Sequence, residues 1–157
     1  MRHLFVFSLV FLLLFCAGCA ADRSYGQAPD RPFTAAIEGT RGELAFSAEV
    51  SLAANGDRTI RSTAPETLAG LTATATADGV RILQNDLSAN VPSAGGLFLP
   101  LDLLTAPAAL VSRQERNGEV SLIYADGTEI ILNADGSPRV VIRTDLMFTI
   151  SDFRNIP

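Results

Sequence analysis

Hydrophobic and polar residues alternate with a two-residue period along most of this chain. The clearest case is residues 42–52, where Leu44, Phe46, Ala48, Val50 and Leu52 fall on one face and Glu43, Ser47, Glu49 and Ser51 on the other. Strict alternation over that length predicts a strand with one face in a core and the other in water. Asn55-Gly56 follows, a dipeptide that accepts the backbone of a tight hairpin turn. Residues 33–38 form the preceding strand and residues 58–63 the returning one. Pro65-Glu66-Thr67-Leu68-Ala69-Gly70-Leu71 is a break that holds one helical turn at most. Further strands are expected over 72–76, 80–84 and 87–91, then over 120–124, 129–133, 139–144 and 146–152. The turns Asp78-Gly79, Asp126-Gly127 and Asp135-Gly136 punctuate them, because Asp tolerates the turn backbone and Gly supplies positive φ. Turns at this spacing predict an antiparallel meander.

One segment breaks the rhythm. Residues 97–113 carry Leu97, Phe98, Leu99, Leu101, Leu103, Leu104, Leu110 and Val111 among small residues. Pro100 suits a first helical turn, and Pro107 ends one short helix or starts another because it lacks a backbone donor. Two short helices or one kinked helix are expected. Apolar residues on almost every side imply burial against the sheet. The insert reads either as a plug that completes the core or as a movable lid over an apolar cavity. The fold class is mainly β with a helical insert, α+β.

The first residues have a different character. Arg2 supplies a positive start, residues 4–15 are almost wholly apolar, and Cys16-Ala17-Gly18-Cys19 follows. A spanning helix needs about 20 apolar residues, more than this stretch holds. The pattern resembles a bacterial lipoprotein signal peptide with its lipobox, although Cys16 stands where Leu is usual. The resemblance implies a cut before Cys19, acylation of its thiolate by two or three chains, and an extracytoplasmic address on a membrane. In a two-membrane cell, Ala20 after the anchor permits sorting to the outer membrane. Small residues at Ala20 and Ala21 leave an ordinary cut open, which would release the protein. The expected organisation is a signal peptide over 1–18, a polar tether over 19–31 and one β-rich domain over 32–157.

Composition narrows the chemistry. His3 is the sole histidine, and Cys16 and Cys19 are the two cysteines, so the leader and anchor account for all of them. The domain beyond them then has no Ser-His-Asp or Cys-His system, no His/Cys metal site and no internal disulfide. Carboxylates remain, but most Asp stand in Asp-Gly turns. Asn133-Ala134-Asp135-Gly136 comes nearest to a calcium loop and lacks its other ligands. No catalytic residue, metal or cofactor is assigned, and the expectation is a protein without enzyme activity. The net charge is −5, all 12 basic residues are arginines, and they form no cluster. A nucleic acid is therefore not an expected partner.

The order of elements resembles one known group. A meander, the 65–71 break with its Leu68-Ala69-Gly70-Leu71 phrase, an apolar helical insert and a closing meander cover residues 33–153. This looks like the LolA/LolB-like lipoprotein-carrier superfamily. The resemblance implies a curved antiparallel sheet, a half-barrel, wrapped around helices with acyl chains held between them. It carries over no binding residue. If this chain handles a lipid, the inward-facing Leu44, Phe46, Val50 and Ile82 and the insert residues Leu101, Leu104 and Leu110 are the candidate lining. The alternative is a surface-tethered interaction protein with a filled core, whose protein partner the sequence does not name.

Overall fold

The computed structural model describes residues 31–157. The leader, Cys19 and most of the tether lie outside the described residues. Six strands come first: β1 (Phe33–Arg41), β2 (Leu44–Leu52), β3 (Arg58–Ala64), β4 (Thr72–Thr76), β5 (Gly79–Gln84) and β6 (Leu87–Val91). Short 3₁₀ turns at Glu66–Leu68 and Gly95–Phe98 interrupt and follow this stretch, and the second runs into helix α1 (Leu99–Thr105). Five strands close the chain: β7 (Leu110–Arg116), β8 (Glu119–Tyr124), β9 (Glu129–Leu132), β10 (Pro138–Arg143) and β11 (Leu146–Asn155).

These strands make one open sheet of 11 strands in the order β6-β5-β4-β3-β2-β1-β11-β10-β9-β8-β7. Each meander pairs sequential neighbours through short connections. The two meanders fuse where β1 pairs antiparallel with β11, so the first and last strands lie at the centre and β6 and β7 at the edges. Residues opposite one another on a ladder share a face. Following that register, Val50 faces Ala35 and Ile60, and Ile60 faces Ala73. In the other half Phe148 faces Val141, Val141 faces Ile130, and Ile130 faces Leu122. All of these belong to one buried cluster, which Phe98, Leu101, Leu103 and Leu104 of the insert complete from above. The opposite face of β1–β4 carries mainly Thr, Ser, Glu and Arg, as the alternation predicts.

Gly39 lies on the seam between the two meanders. It faces Phe46 on one side and Phe148 on the other. A Cβ on Gly39 would lie 2.0 Å from the Met147 carbonyl oxygen and 2.5 Å from Phe148 Cβ. The missing side chain lets the Phe46 and Phe148 rings meet above the glycine, with centroids 6.4 Å apart and planes at 59°. Tilted aromatic pairs favour this separation.

The insert is corrected by the structure. Only Gly95–Thr105 is helical, and residues 110–113 belong to strand β7. Pro100 sits in the first turn of α1, and the Ala106 N–H donates to the Asp102 carbonyl at 2.8 Å just before Pro107 stops the helix. The overlooked signal was Asn117-Gly118, whose φ values of 54° and 80° make the tight turn that folds β7 onto β8.

Candidate functional site

An apolar groove of about 610 Å³ opens beside the insert. Phe46, Ala48, Ile60 and Ser62 of β2 and β3 form its floor. Leu97, Leu99 and Pro100 of the insert form one wall, and Pro65, Leu68 and Leu71 of the break after β3 form the other. The 65–71 segment is held in place by backbone bonds: Gly70 N–H donates to the Ser62 carbonyl at 2.9 Å, and Ser62 N–H donates to the Leu71 carbonyl at 2.8 Å. The groove exists because the floor is narrow in side-chain volume. Ala48 faces Ser62 across the β2–β3 ladder, and Ala64 follows on β3.

The mouth is apolar too. Leu44 is 74% exposed and Leu68 is 45% exposed, and both border the opening. At the β1 end stands Arg41, the single charged residue of the lining. Arg41 faces Leu44 on β2 and Leu146 on β11, so it lies on the inward side of the sheet. Two hairpin tips fix its position. The Gly42 N–H donates to the Asp145 carbonyl at 2.8 Å, joining the β1–β2 tip to the β10–β11 tip. Arg41 Nε lies 3.7 Å from Asp145 Oδ2, and both side chains are more than half exposed.

The sequence-derived candidates divide in the structure. Leu44 and Phe46 line the groove. Val50, Leu101 and Leu104 do not. They are 2%, 0% and 1% exposed and belong to the one buried cluster that joins the sheet and the insert. Ile82 packs half-buried against that core from β5. Leu110 stands exposed on edge strand β7, away from the groove. Arg41, Leu68, Leu71, Leu97 and Leu99 line the groove and are not among the candidate lining residues. The sequence marks Leu97 and Leu99 only as part of the apolar insert, and Leu68 and Leu71 only as part of the 65–71 break. The insert plays a double part, with Leu101, Leu103 and Leu104 in the core and Leu97 and Leu99 on the groove wall.

A second, polar hollow of about 440 Å³ lies by the loop after β6. Two of its charged groups pair with each other. The Arg58 guanidinium of β3 donates to Asp102 of α1 and rests 5.5 Å from the Phe98 ring centroid. This contact fastens the insert to the sheet. Among the described residues no group of three or more His, Cys, Asp or Glu could hold a metal ion, and no helix is long and apolar enough to cross a membrane.

No protein-family model matches the chain, and no curated protein matches it. Among solved structures it is similar to an uncharacterized conserved protein from Thermus thermophilus, at 14% identity and a TM-score of 0.53, covering 82% of this chain and 81% of that one. It is also similar to a LolA superfamily protein from Nitrosomonas europaea, at 11% identity and a TM-score of 0.45, covering 83% and 90% respectively. The first likeness shows a shared fold and nothing about activity. The second is too distant to add to it.

Proposed function

We propose that this protein is an extracytoplasmic lipoprotein, tethered through an acylated Cys19, that binds an acyl chain or similar hydrophobic ligand in the groove and has no enzyme activity. The observation that carries this reading is the groove itself. Its 610 Å³ falls within the roughly 300–1,000 Å³ of small-molecule sites. Its lining is almost wholly aliphatic and aromatic, and Leu44 and Leu68 stay exposed at its mouth with nothing among the described residues to cover them. An apolar chain laid there removes that surface from water at about 25 cal/mol per Å².

The half-barrel shape expected from the LolA/LolB-like resemblance is supported by a reach argument. Residues 92–109 connect β6 to β7, the two opposite edges of the sheet. Eleven flat strands would span about 48 Å at roughly 4.8 Å each. The connection contains 4 residues of 3₁₀ helix and 7 of α-helix. With the remaining residues fully stretched, it reaches about 46 Å, no more than that width. It must also rise about 10 Å to pack α1 over the sheet and then return. A flat sheet leaves no length for that, so a sheet bent around the insert fits the chain.

The test uses the full chain in phosphatidylcholine nanodiscs and a palmitic acid carrying a photoactivatable diazirine. Crosslinks are expected in peptides spanning residues 44–71 and 97–100. Ser62→Phe fills the floor and should remove most of that label while leaving the melting temperature nearly unchanged. Equal labelling of the variant, or no label in the groove, would overturn the reading. Mass analysis of the N-terminal peptide reads the acylation of Cys19 directly.

A further inference from the structure

We propose that the groove takes a single-chain amphiphile with an anionic headgroup, and that Arg41 is the residue that recognises the head. This rests on the groove reading above and adds the class of ligand.

Arg41 is the one charged residue of an otherwise apolar lining and is solvated in the open groove. A tail laid in the groove brings its head to this guanidinium, where an anion offsets the water that is displaced. Asp145 meets the guanidinium only in part. The contact is 3.7 Å from Nε, longer than a hydrogen bond, between two exposed side chains. Exposed pairs of this kind contribute little. The terminal amino groups point elsewhere. A Cβ on Gly96 would lie 3.1 Å from Nη1 and 3.6 Å from Nη2, so the fork rests against the bare backbone of the insert at the groove wall. Among the described residues, neither Nη1 nor Nη2 has a hydrogen-bond acceptor. Their four N–H groups present the planar fork that matches a carboxylate or phosphate with two parallel bonds.

The rest of the lining sets the other end of the ligand. From Arg41 the groove continues over Leu44, Phe46 and Ala48 toward Leu68 and Leu71, with no second charge along the way. Ser47, Ser62 and Thr67 are its remaining side-chain hydroxyls. A head at Arg41 with an apolar tail along β2 and β3 therefore matches the site. A ligand charged at both ends, or one with a cationic head, does not. Asp145 becomes a competitor: an arriving anion displaces its weak hold on Nε or shares the guanidinium with it.

The experiment extends the labelling to three diazirine probes of equal chain length: palmitic acid, hexadecanol and lysophosphatidic acid. Each is applied to the full chain in phosphatidylcholine nanodiscs at neutral pH, and crosslinks are mapped to the groove. In the unaltered protein the anionic probes should label about tenfold more efficiently than the alcohol, the scale of one charge-assisted hydrogen-bonded pair. Arg41→Gln should bring them down to the alcohol's level and leave the alcohol unchanged. Asp145→Asn should raise anion labelling severalfold. The stronger of the two anionic probes identifies the headgroup as carboxylate or phosphate. Equal labelling by acid and alcohol, or an acid-to-alcohol ratio that Arg41→Gln does not move, would overturn the role of Arg41 while leaving the groove reading in place. Absence of groove label with all three probes would overturn both.

Discussion

From β11 to β8 the inward row runs Phe148, Val141, Ile130, Leu122, four bulky side chains facing one another across the ladders. The matching rows from β1 to β4 run Ala35, Val50, Ile60, Ala73 and Ile37, Ala48, Ser62. Both halves have the same strand geometry and the same alternation. They differ in side-chain volume. The C-terminal half carries bulky side chains along this inward row, whereas in the N-terminal half a strip between the sheet and the insert stays open above Ala48, Ser62 and Ala64. A cavity in a sheet protein therefore need not come from any special backbone. Small residues at consecutive inward positions suffice, provided that the covering element stops short.

The sharpest way to break this contrast is at the seam. Gly39→Ala puts a methyl against the Met147 carbonyl and Phe148, with backbone on the other side of the clash. Its cost should reach or exceed the roughly 3 kcal/mol upper range for overpacking. The midpoint of urea unfolding measures it, and a midpoint near the original would show that β1 and β11 can part locally without loss.

Next comes a matched pair of truncations. Phe148→Ala empties a fully buried site in the C-terminal half and should cost about 3–5 kcal/mol. Phe46→Ala, its ring partner on the groove floor, is half-buried and should cost about 1 kcal/mol while weakening probe binding. Similar costs for the two would mean that the halves are equally packed and that the groove is closed in solution.

A smaller effect is expected at the fastening of the insert. The Arg58–Asp102 pair is more than one-third exposed, so Asp102→Asn should lower stability by less than about 1 kcal/mol. Amide exchange in residues 97–105 should nevertheless quicken relative to β8–β10, since that contact ties α1 to β3. Unchanged exchange would show that burial of Leu101 and Leu104 alone holds the helix.

The smallest effect lies in the turns of the C-terminal half. Burial would raise the Asp126 carboxyl, but the Thr128 N–H at 3.1 Å and Arg143 at 3.8 Å outweigh it and hold the carboxyl below its ordinary range. The Ser137 hydroxyl at 2.6 Å and the Ser137 N–H at 2.9 Å do the same for Asp135. Because both are depressed in the folded state, the stability they contribute is in place above the unfolded carboxylate value of about 3.9 and is lost as pH falls through the folded values. The melting temperature should fall below about pH 4, and the fall should be shallower when both are changed to Asn. A fall of the same depth in the double variant would place the acid sensitivity elsewhere.

Much of this fold was legible locally. The alternation over residues 42–52 marked β2 and its inward face, and Asn55-Gly56 and the Asp-Gly pairs marked the turns that join neighbouring strands. Strand β7 was hidden by composition, because Leu110 and Val111 continue the leucine-rich run of the insert while Asn117-Gly118 announces a hairpin just beyond. The site was half legible. Leu44 and Phe46 were recognisable as inward positions. Arg41 was not, because the first strand was expected to end at residue 38. Continuing its alternation through Ile37 and Gly39 would have placed Arg41 on the inward face.

The amino-acid sequence by itself determined which residues face inward, where the chain turns and which half of the sheet has the smaller side chains. These follow from a two-residue period and from the backbone preferences of Asn, Asp and Gly, which act within a few residues. Only the tertiary structure decided that β1 meets β11, that the insert crosses from one edge of the sheet to the other, and that Arg41 stands beside Asp145 at the end of an apolar groove. The physical reason is that a groove is the volume left between elements distant in the chain, and that volume is fixed by how those elements pack, not by the pattern within any one of them.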